Sequence, residues 1–270
     1  MKKIICTLLA MLMIVTCFAA CKSEEKKETS YSDLAIACEL TSEEYGIGFR
    51  KGSDLVKEVD TIMSELMADG TLSSLAQKYE LTLVEDAKAN SDYEATVADL
   101  EYIKGNGKLV IGITDYAPMN FKDEKDQWTG FDTEFAIAVC EKLGVEAEFV
   151  EIDWDNKFLA LEAKTIDCIW NGMTISEEVL NNTSCSQAYV KNAQVAVIAK
   201  DKLSQYKTAE DMKDLTFAVE AGSAGASAAV DNGFNAVEVG TQTDALLEVI
   251  SGSSEACIID ITMANSMLGA

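Results

Sequence analysis

From residue 108 onward the chain alternates short apolar runs with amphipathic stretches of helical period, and no other feature limits its fold more tightly. Lys108 to Ile113 reads as a strand that ends at Thr114-Asp115. Asp132 to Leu143 reads as a helix, with Phe135, Val139 and Leu143 on one face and Gly144 just past its end. Strand Val145–Ile152, helix Asn156–Thr165 and strand Asp167–Trp170 follow. A second series then runs through strand Thr216–Val219, helix Ser223–Asn232, strand Ala236–Val239, helix Thr243–Ser251 and strand Ala256–Ile259. Such βαβ alternation predicts an α/β protein with mainly parallel sheets covered by helices. Ligands of such sheets gather at the carboxyl ends of the strands.

Composition narrows the chemistry. The 270 residues contain 22 Lys+Arg against 46 Asp+Glu and no histidine, for a formal charge of −24, and Arg50 is the sole arginine. A nucleic-acid binder needs clustered cations to displace phosphate counterions, so nucleic acid is excluded as a partner. Ser-His-Asp, Cys-His and His-ligated metal chemistry all need an imidazole. No metal and no cofactor is therefore expected.

The N-terminus carries an export address. Lys2 and Lys3 precede an apolar run from Ile4 to Phe18, followed by Ala19-Ala20-Cys21. The run is short for a membrane-spanning helix and gives way at once to Lys22-Ser23-Glu24-Glu25. The Ala-Ala-Cys sequence resembles a bacterial lipobox, with Phe18 where the motif usually has leucine. Residues 1–20 then form a signal peptide and Cys21 is the lipidation site; an ordinary signal peptide with an incidental Cys21 is the alternative. Residues 21–33, polar and charged at their start, read as a tether to the outer face of the cell membrane. Five more cysteines follow, Cys38, Cys140, Cys168, Cys185 and Cys257, in no CxxC spacing, and no disulfide is assigned among them.

The segment 31–83 differs from the rest. Ser53 is expected to cap a helix bearing Leu55, Val56, Val59, Ile62, Met63, Leu66 and Met67, with Gly70 stopping it; a second helix spans about Thr71 to Tyr79. Between Glu85 and Asn106, Val97, Leu100 and Ile103 are spaced for another helix.

The stretch LVIGITDYAPMNFKDEKDQWTGFDTEFAIAVCEKLG from Leu109 resembles the opening of periplasmic-type polar amino-acid-binding proteins of ABC importers. DCIWNGMTIS from Asp167 is similar to the family's D-x-x-x-x-G-[IM]-T-I turn, and ACIID, ending at Asp260, to the strand that closes its second lobe. The segment from Thr41 to Tyr79 resembles the family's C-terminal part, yet here it comes first. Together, 31–83 and 108–270 have the length of one such protein with neither half duplicated. The resemblance therefore implies a two-lobed periplasmic-binding-protein-like clamshell, circularly permuted; a truncated tandem-domain protein is the competing account. The implied organisation is 34–45 as second-lobe end and hinge strand, 46–83 as a first-lobe segment, and 84–107 as the linker joining former termini. Residues 108–194 complete the first lobe, 195–199 form the other hinge, and 200–270 complete the second lobe.

By the same resemblance, Tyr116 and Trp154 offer aromatic faces to a ligand. Gly172 offers its carbonyl, and Thr174 its N–H and hydroxyl for a carboxylate. Asp260 accepts the ligand's amino group, and Asp115 is a further carboxylate near the mouth. Across the cleft, the loop Glu220-Ala221-Gly222-Ser223 turns its N–H groups inward, with Glu220 able to read a ligand side chain and Ser223 opening the helix. Family members usually carry an arginine five residues after the Thr174 position to clamp the ligand's carboxylate; this chain has Val179. Losing that bidentate anchor leaves two readings open: a ligand of net positive character such as a basic amino acid or an amine, or an ordinary amino acid held by Thr174, turn amides and Lys157 or Lys191.

The implied function is an extracytoplasmic, monomeric solute-binding lipoprotein that delivers a small polar amino-acid-like ligand to ABC permease subunits and is not an enzyme. An amino-acid-sensing domain, or a dehydratase built on the same fold with Glu220 or Asp115 as general acid, are the alternatives.

Overall fold

The computed structural model describes residues 30–87, Ala89 and 93–268. The signal peptide, Cys21 and most of the tether lie outside the described residues.

Two sheets organise the chain. The first holds β3 (Lys108–Ile113), β6 (Glu146–Glu151) and β7 (Cys168–Thr174) in parallel, in the order β6-β3-β7. β2 (Glu43–Phe49) then adds antiparallel to β7, and β8 (Ser184–Cys185) and β9 (Val190–Asn192) pair antiparallel with β2. The second sheet runs β1 (Leu34–Glu39), β10 (Gln194–Ala199), β13 (Ala256–Asp260), β11 (Thr216–Glu220), β12 (Asn235–Val239). Its last three strands are parallel, while β1 and β10 are antiparallel to their neighbours. A two-stranded ribbon, β4 (Phe121–Lys122) and β5 (Trp128–Thr129), packs on the first lobe through Trp128 and Phe121. The parallel pairing predicted from βαβ alternation is thus confined to three strands of each sheet. Antiparallel pairing enters wherever the chain crosses between lobes.

The crossings are shorter than the expected hinge strands. β10 occupies 194–199 as a full member of the second sheet, and β1 and β2 reach to 39 and 43. Only 40–42 and Ala193 pass between the lobes outside a strand, because the ladders continue pairing up to those points.

Helices cover the sheets. α1 (Leu55–Ala68) buries Leu55, Val56, Val59, Ile62, Met63 and Leu66, spaced along one helical stripe. Each such side chain contributes roughly 1.5–3 kcal/mol on leaving water. Its N-cap is Asp54 rather than Ser53, whose hydroxyl accepts instead from the Leu55 N–H at 3.3 Å. After Gly70, in a left-handed conformation, comes α2 (Thr71–Lys78). α3 (Asp99–Asn106) lies within the segment expected to link former termini. That segment is stitched to the turn after β2: Asp54 N–H donates to Val97 O, and Thr96 and Val97 N–H donate to Gly52 O at 2.8 and 2.9 Å. Arg50 sits beneath it, 8% exposed, between Asp99 of α3 and Asp167 before β7. α4 (Phe131–Leu143), α5 (Lys157–Glu162) and α6 (Glu177–Asn182) complete the first lobe; α7 (Ala224–Asn232), α8 (Gln242–Ser251) and α9 (Ile261–Met267) complete the second. Among the described residues no helix is long and apolar enough to cross a membrane, and the five cysteines are free thiols.

Candidate functional site: a carboxylate-lined cleft between the lobes

The carboxyl ends of both parallel strand sets face one another, and the gap between them is a cavity of about 180 Å³. One wall comes from the turn after β6, where Trp154 and Lys157 stand, and from the end of β7. The other comes from Glu220 at the end of β11, the loop to Ser223, Gln242 after β12, and Asp260 at the end of β13. Placement at strand ends brings loops and helix starts from several segments together without disturbing the sheets.

Of the residues singled out from sequence, Trp154, Gly172, Thr174, Glu220, Ser223 and Asp260 line this cavity. Trp154 also packs among Leu161, Ile166 and Met173, so its ring is both wall and core. Gly172 lies in a β-bulge, where the β2–β7 register shifts between Gly46↔Met173 and Gly48↔Ile169. Its φ of +54° suits glycine, and a Cβ there would come within 2.6 Å of the Tyr116 ring. Asp132, from the Gly-Phe-Asp start of α4, pins the bulge: its Oδ2 accepts the Gly172 N–H at 2.6 Å and the Tyr189 hydroxyl at 3.0 Å. Burial lifts the Asp132 carboxyl to about 7 against those hydrogen bonds.

Other sequence expectations meet a different geometry. Asp115 is exposed and outside the cavity lining, since the chain turns away after β3; partial burial and the nearby Glu151 raise its carboxyl. Tyr116 lies behind Gly172 instead of lining the cavity. Its hydroxyl meets those of Tyr45, at 2.5 Å, and Thr262, at 2.6 Å, in a fully enclosed triad that joins the lobes. The Thr174 hydroxyl donates to Glu43 Oε1 at 2.8 Å, so its proton is engaged. In the 220–223 loop, the Ala221 and Ser223 N–H groups donate to Val239 O and Glu220 O, and the Ser223 hydroxyl caps α7 by accepting from Ala226 N–H. Lys191 is exposed and lines another groove.

Several site residues were not legible in the sequence. Asn192 and Gln194 flank the crossing at Ala193 and hold two carboxylates at once. Gln194 Nε2 donates to Glu43 Oε1 and to Asp260 Oδ1, each at 2.7 Å, and Asn192 Nδ2 donates to the same two oxygens. The Gln242 amide donates to Asp260 Oδ2 and its carbonyl accepts the Asp260 N–H. The only signal for Asn192 and Gln194 was two amides interrupting an apolar run; Glu43 and Gln242 had none.

The cavity's charge is lopsided. Glu43, Glu178, Glu220, Asp231 and Asp260 face one lysine, Lys157. Burial, reinforced by the Asp260 charge, drives Glu220 up to about 8, and burial together with Glu43 raises Asp260. Such a site attracts a cation, which would draw these carboxyls into their ionised form. Val179, buried, occupies the position of the expected arginine clamp, while Arg50 is engaged elsewhere. Among the described residues no cluster of His, Cys, Asp and Glu is arranged to hold a metal ion.

The lobes are in contact around the cavity. Lys157 Nζ, from the first lobe, donates to Gly222 O of the second at 2.7 Å. Gly222, at φ +66°, approaches so closely that a Cβ would lie 2.9 Å from the Asp155 Cα.

Comparison with known proteins agrees with this architecture. The family model of bacterial extracellular solute-binding proteins, family 3, matches residues 109–253, more than half of the chain. The chain is 34% identical over 115 residues to the L-cystine-binding protein TcyJ of Escherichia coli (strain K12), covering 42% of this chain and 43% of that protein. It is 31% identical over 165 residues to the arginine-binding extracellular protein ArtP of Bacillus subtilis (strain 168), covering 59% and 64%. It thus spans less than two thirds of the length of these curated relatives. Among solved structures, the ancestral amino acid-binding protein AncCDT-1, a precursor of cyclohexadienyl dehydratase, superposes with a TM-score of 0.59 at 32% identity, covering 61% of this chain and 74% of that one.

Proposed function

This chain belongs to family 3 of the bacterial extracellular solute-binding proteins, and on that premise we propose that it captures a polar amino acid outside the cytoplasm and delivers it to an ABC importer. The observation that carries the reading is the cavity between the lobes. It is sized for a small solute, walled by Trp154, and rich in carboxylates, with Glu220 and Asp260 on the second-lobe side. An ammonium or guanidinium there exchanges hydration for charge-assisted hydrogen bonds while the indole covers its apolar part. The carboxylate excess favours a ligand of net positive charge. Closure of both lobes on the ligand would create the shape that a permease recognises.

Export by the signal peptide, lipidation at Cys21 and action as a monomer belong to this proposal. So does circular permutation. Its support is that segment 31–83 supplies β1 to one sheet and β2 to the other, while the contiguous family match begins only at 109. Metabolic labelling with palmitate tests the anchor: label on the wild-type protein and none on Cys21→Ser is expected, and an unlabelled wild type refutes it.

Melting the purified protein against the twenty common amino acids and a set of amines tests the main reading. A raised Tm with one or a few polar amino acids is expected; no shift with any of them refutes it. The buried Glu220 carboxyl, about 8 in pKa, favours one second reading, a dehydratase with Glu220 as general acid. Loss of ligand with time in a turnover assay would distinguish that enzyme from a binder.

A further inference from the structure

Lys157 raises a question that the carboxylate excess does not answer. Its side chain is 3% exposed, yet it carries an ammonium into the cavity wall. Two carbonyl oxygens accept from Nζ, Gly222 O at 2.7 Å and Trp154 O at 3.2 Å. The Trp154 and Phe158 rings flank it, with centroids at 5.0 and 4.7 Å. Glu178, Glu220 and Asp155 act on it electrostatically, but among the described residues none forms an ion pair with it. An ammonium has three protons to donate, and two are placed. A buried lysine without an anion is expensive to keep charged, and desolvation by burial lowers its pKa accordingly.

No arginine in the chain can take an anion here. Arg50 gives its Nε to Asp99, its Nη1 to Ile166 O and its Nη2 to Asp167, all away from the cavity. Val179, buried in the cavity wall, offers no polar atom from its side chain. The Thr174 hydroxyl already serves Glu43. Lys157 is therefore the sole cation lining the cavity among the described residues.

We propose that Lys157 receives the carboxylate of an α-amino-acid ligand and, through its bond to Gly222, links that recognition to closure of the lobes. The inference rests on the amino-acid reading above and gives the ligand a direction. Its carboxylate lies at the Trp154–Lys157 turn of the first lobe, and its ammonium lies toward Glu220 and Asp260 of the second. The ligand is thereby a zwitterion or a cationic amino acid rather than a carboxylate-free amine. A lysine offers a single point charge in place of a bidentate fork, so it fixes charge at this position more than orientation. Gly222 makes the second half of the device. Its missing side chain lets the loop sit against Asp155, and its carbonyl carries the Nζ bond from one lobe to the other.

The test is calorimetry on the whole protein with each amino acid that raises its Tm and with the corresponding α-amide, which keeps the ammonium and removes the carboxylate charge. For the wild type, the amino acid is expected to bind about tenfold to a hundredfold more tightly than its amide. In Lys157→Met that preference is expected to collapse, through weaker binding of the amino acid with little change for the amide. In Lys157→Arg it is expected to survive. Lys157→Met also gives up the Nζ bonds to Gly222 O and Trp154 O, so the result is read as the ratio of amino acid to amide affinity on each variant, which a loss of stability alone would leave unchanged. Retention of the full preference in Lys157→Met overturns the Lys157 assignment alone. A wild type that binds no amino acid at all overturns the amino-acid reading first, and this inference with it.

Discussion

Replacing Arg50 by methionine should destabilise the protein severely while leaving the ligand cavity's own residues untouched. The guanidinium donates from Nε to both Asp99 oxygens at 3.2 and 3.0 Å, from Nη1 to Ile166 O at 2.8 Å and from Nη2 to Asp167 Oδ1 at 2.9 Å. Burial opposes its charge, but the hydrogen bonds and the charges of Asp99 and Asp167 outweigh that and raise its pKa. Asp99 and Asp167 are 1% and 3% exposed, so removing the cation strands two carboxylates in the interior. Breaking a buried pair by deleting one partner costs about 3–5 kcal/mol, a large part of the 5–15 kcal/mol that holds a typical domain together. Urea unfolding followed by circular dichroism measures the loss. Replacing all three residues by apolar ones of similar volume should recover only part of it: the ionic desolvation cost disappears with the pair, but Val110 N–H and Ile166 O lose the partners that Asp167 and Arg50 supply. A loss below about 1 kcal/mol for Arg50→Met, the value of an exposed, screened pair, would rule out a buried structural role for the guanidinium. The sole arginine would then be free for another role.

Three further outcomes follow from the site. Glu220 and Asp132 have folded pKa values of about 8 and about 7, both above the ordinary carboxyl range, so the folded state holds protons that the unfolded state releases. Stability of the unliganded protein should therefore fall as pH rises from about 4.5 to about 8, and Glu220→Gln should flatten much of that slope; a stability that climbs across this window contradicts the assignment. Cation binding should release a proton below pH 8, visible in calorimetry as an enthalpy that changes with the buffer's ionisation heat, and a buffer-independent enthalpy at pH 7 speaks against Glu220 contacting the cation. Gly172→Ala should lose about 2–4 kcal/mol in urea melts, from the left-handed backbone and the 2.6 Å approach to Tyr116; a neutral result would mean that the bulge relaxes freely.

The βαβ pattern made the parallel strands and their covering helices readable, and with them the residues at strand ends. Trp154, Glu220 and Asp260, picked out by the family resemblance and placed by the pattern at or just after strand ends, do line the cavity. Residues whose part depends on side-chain direction were not readable this way. Asp115 and Tyr116 follow the same strand, yet one is exposed and the other is buried behind Gly172; one residue along the chain reverses the direction of a side chain. Asn192, Gln194 and Glu43 form one hydrogen-bonded group across some 150 positions of sequence, a pairing that no local pattern encodes. The shortness of the crossings depends on how far each ladder keeps its register, which is a property of the paired strands together.

Occupation of the cavity between the lobes by one polar amino acid underlies the proposed function. Isothermal titration of the purified protein, unfolded in urea and refolded to remove any co-purified ligand, measures this directly. Saturable binding of one amino acid per chain is expected, abolished or strongly weakened by Asp260→Ala and unaffected by a surface substitution such as Glu124→Ala. No saturable binding by any of the twenty amino acids, or binding indifferent to Asp260, would contradict it.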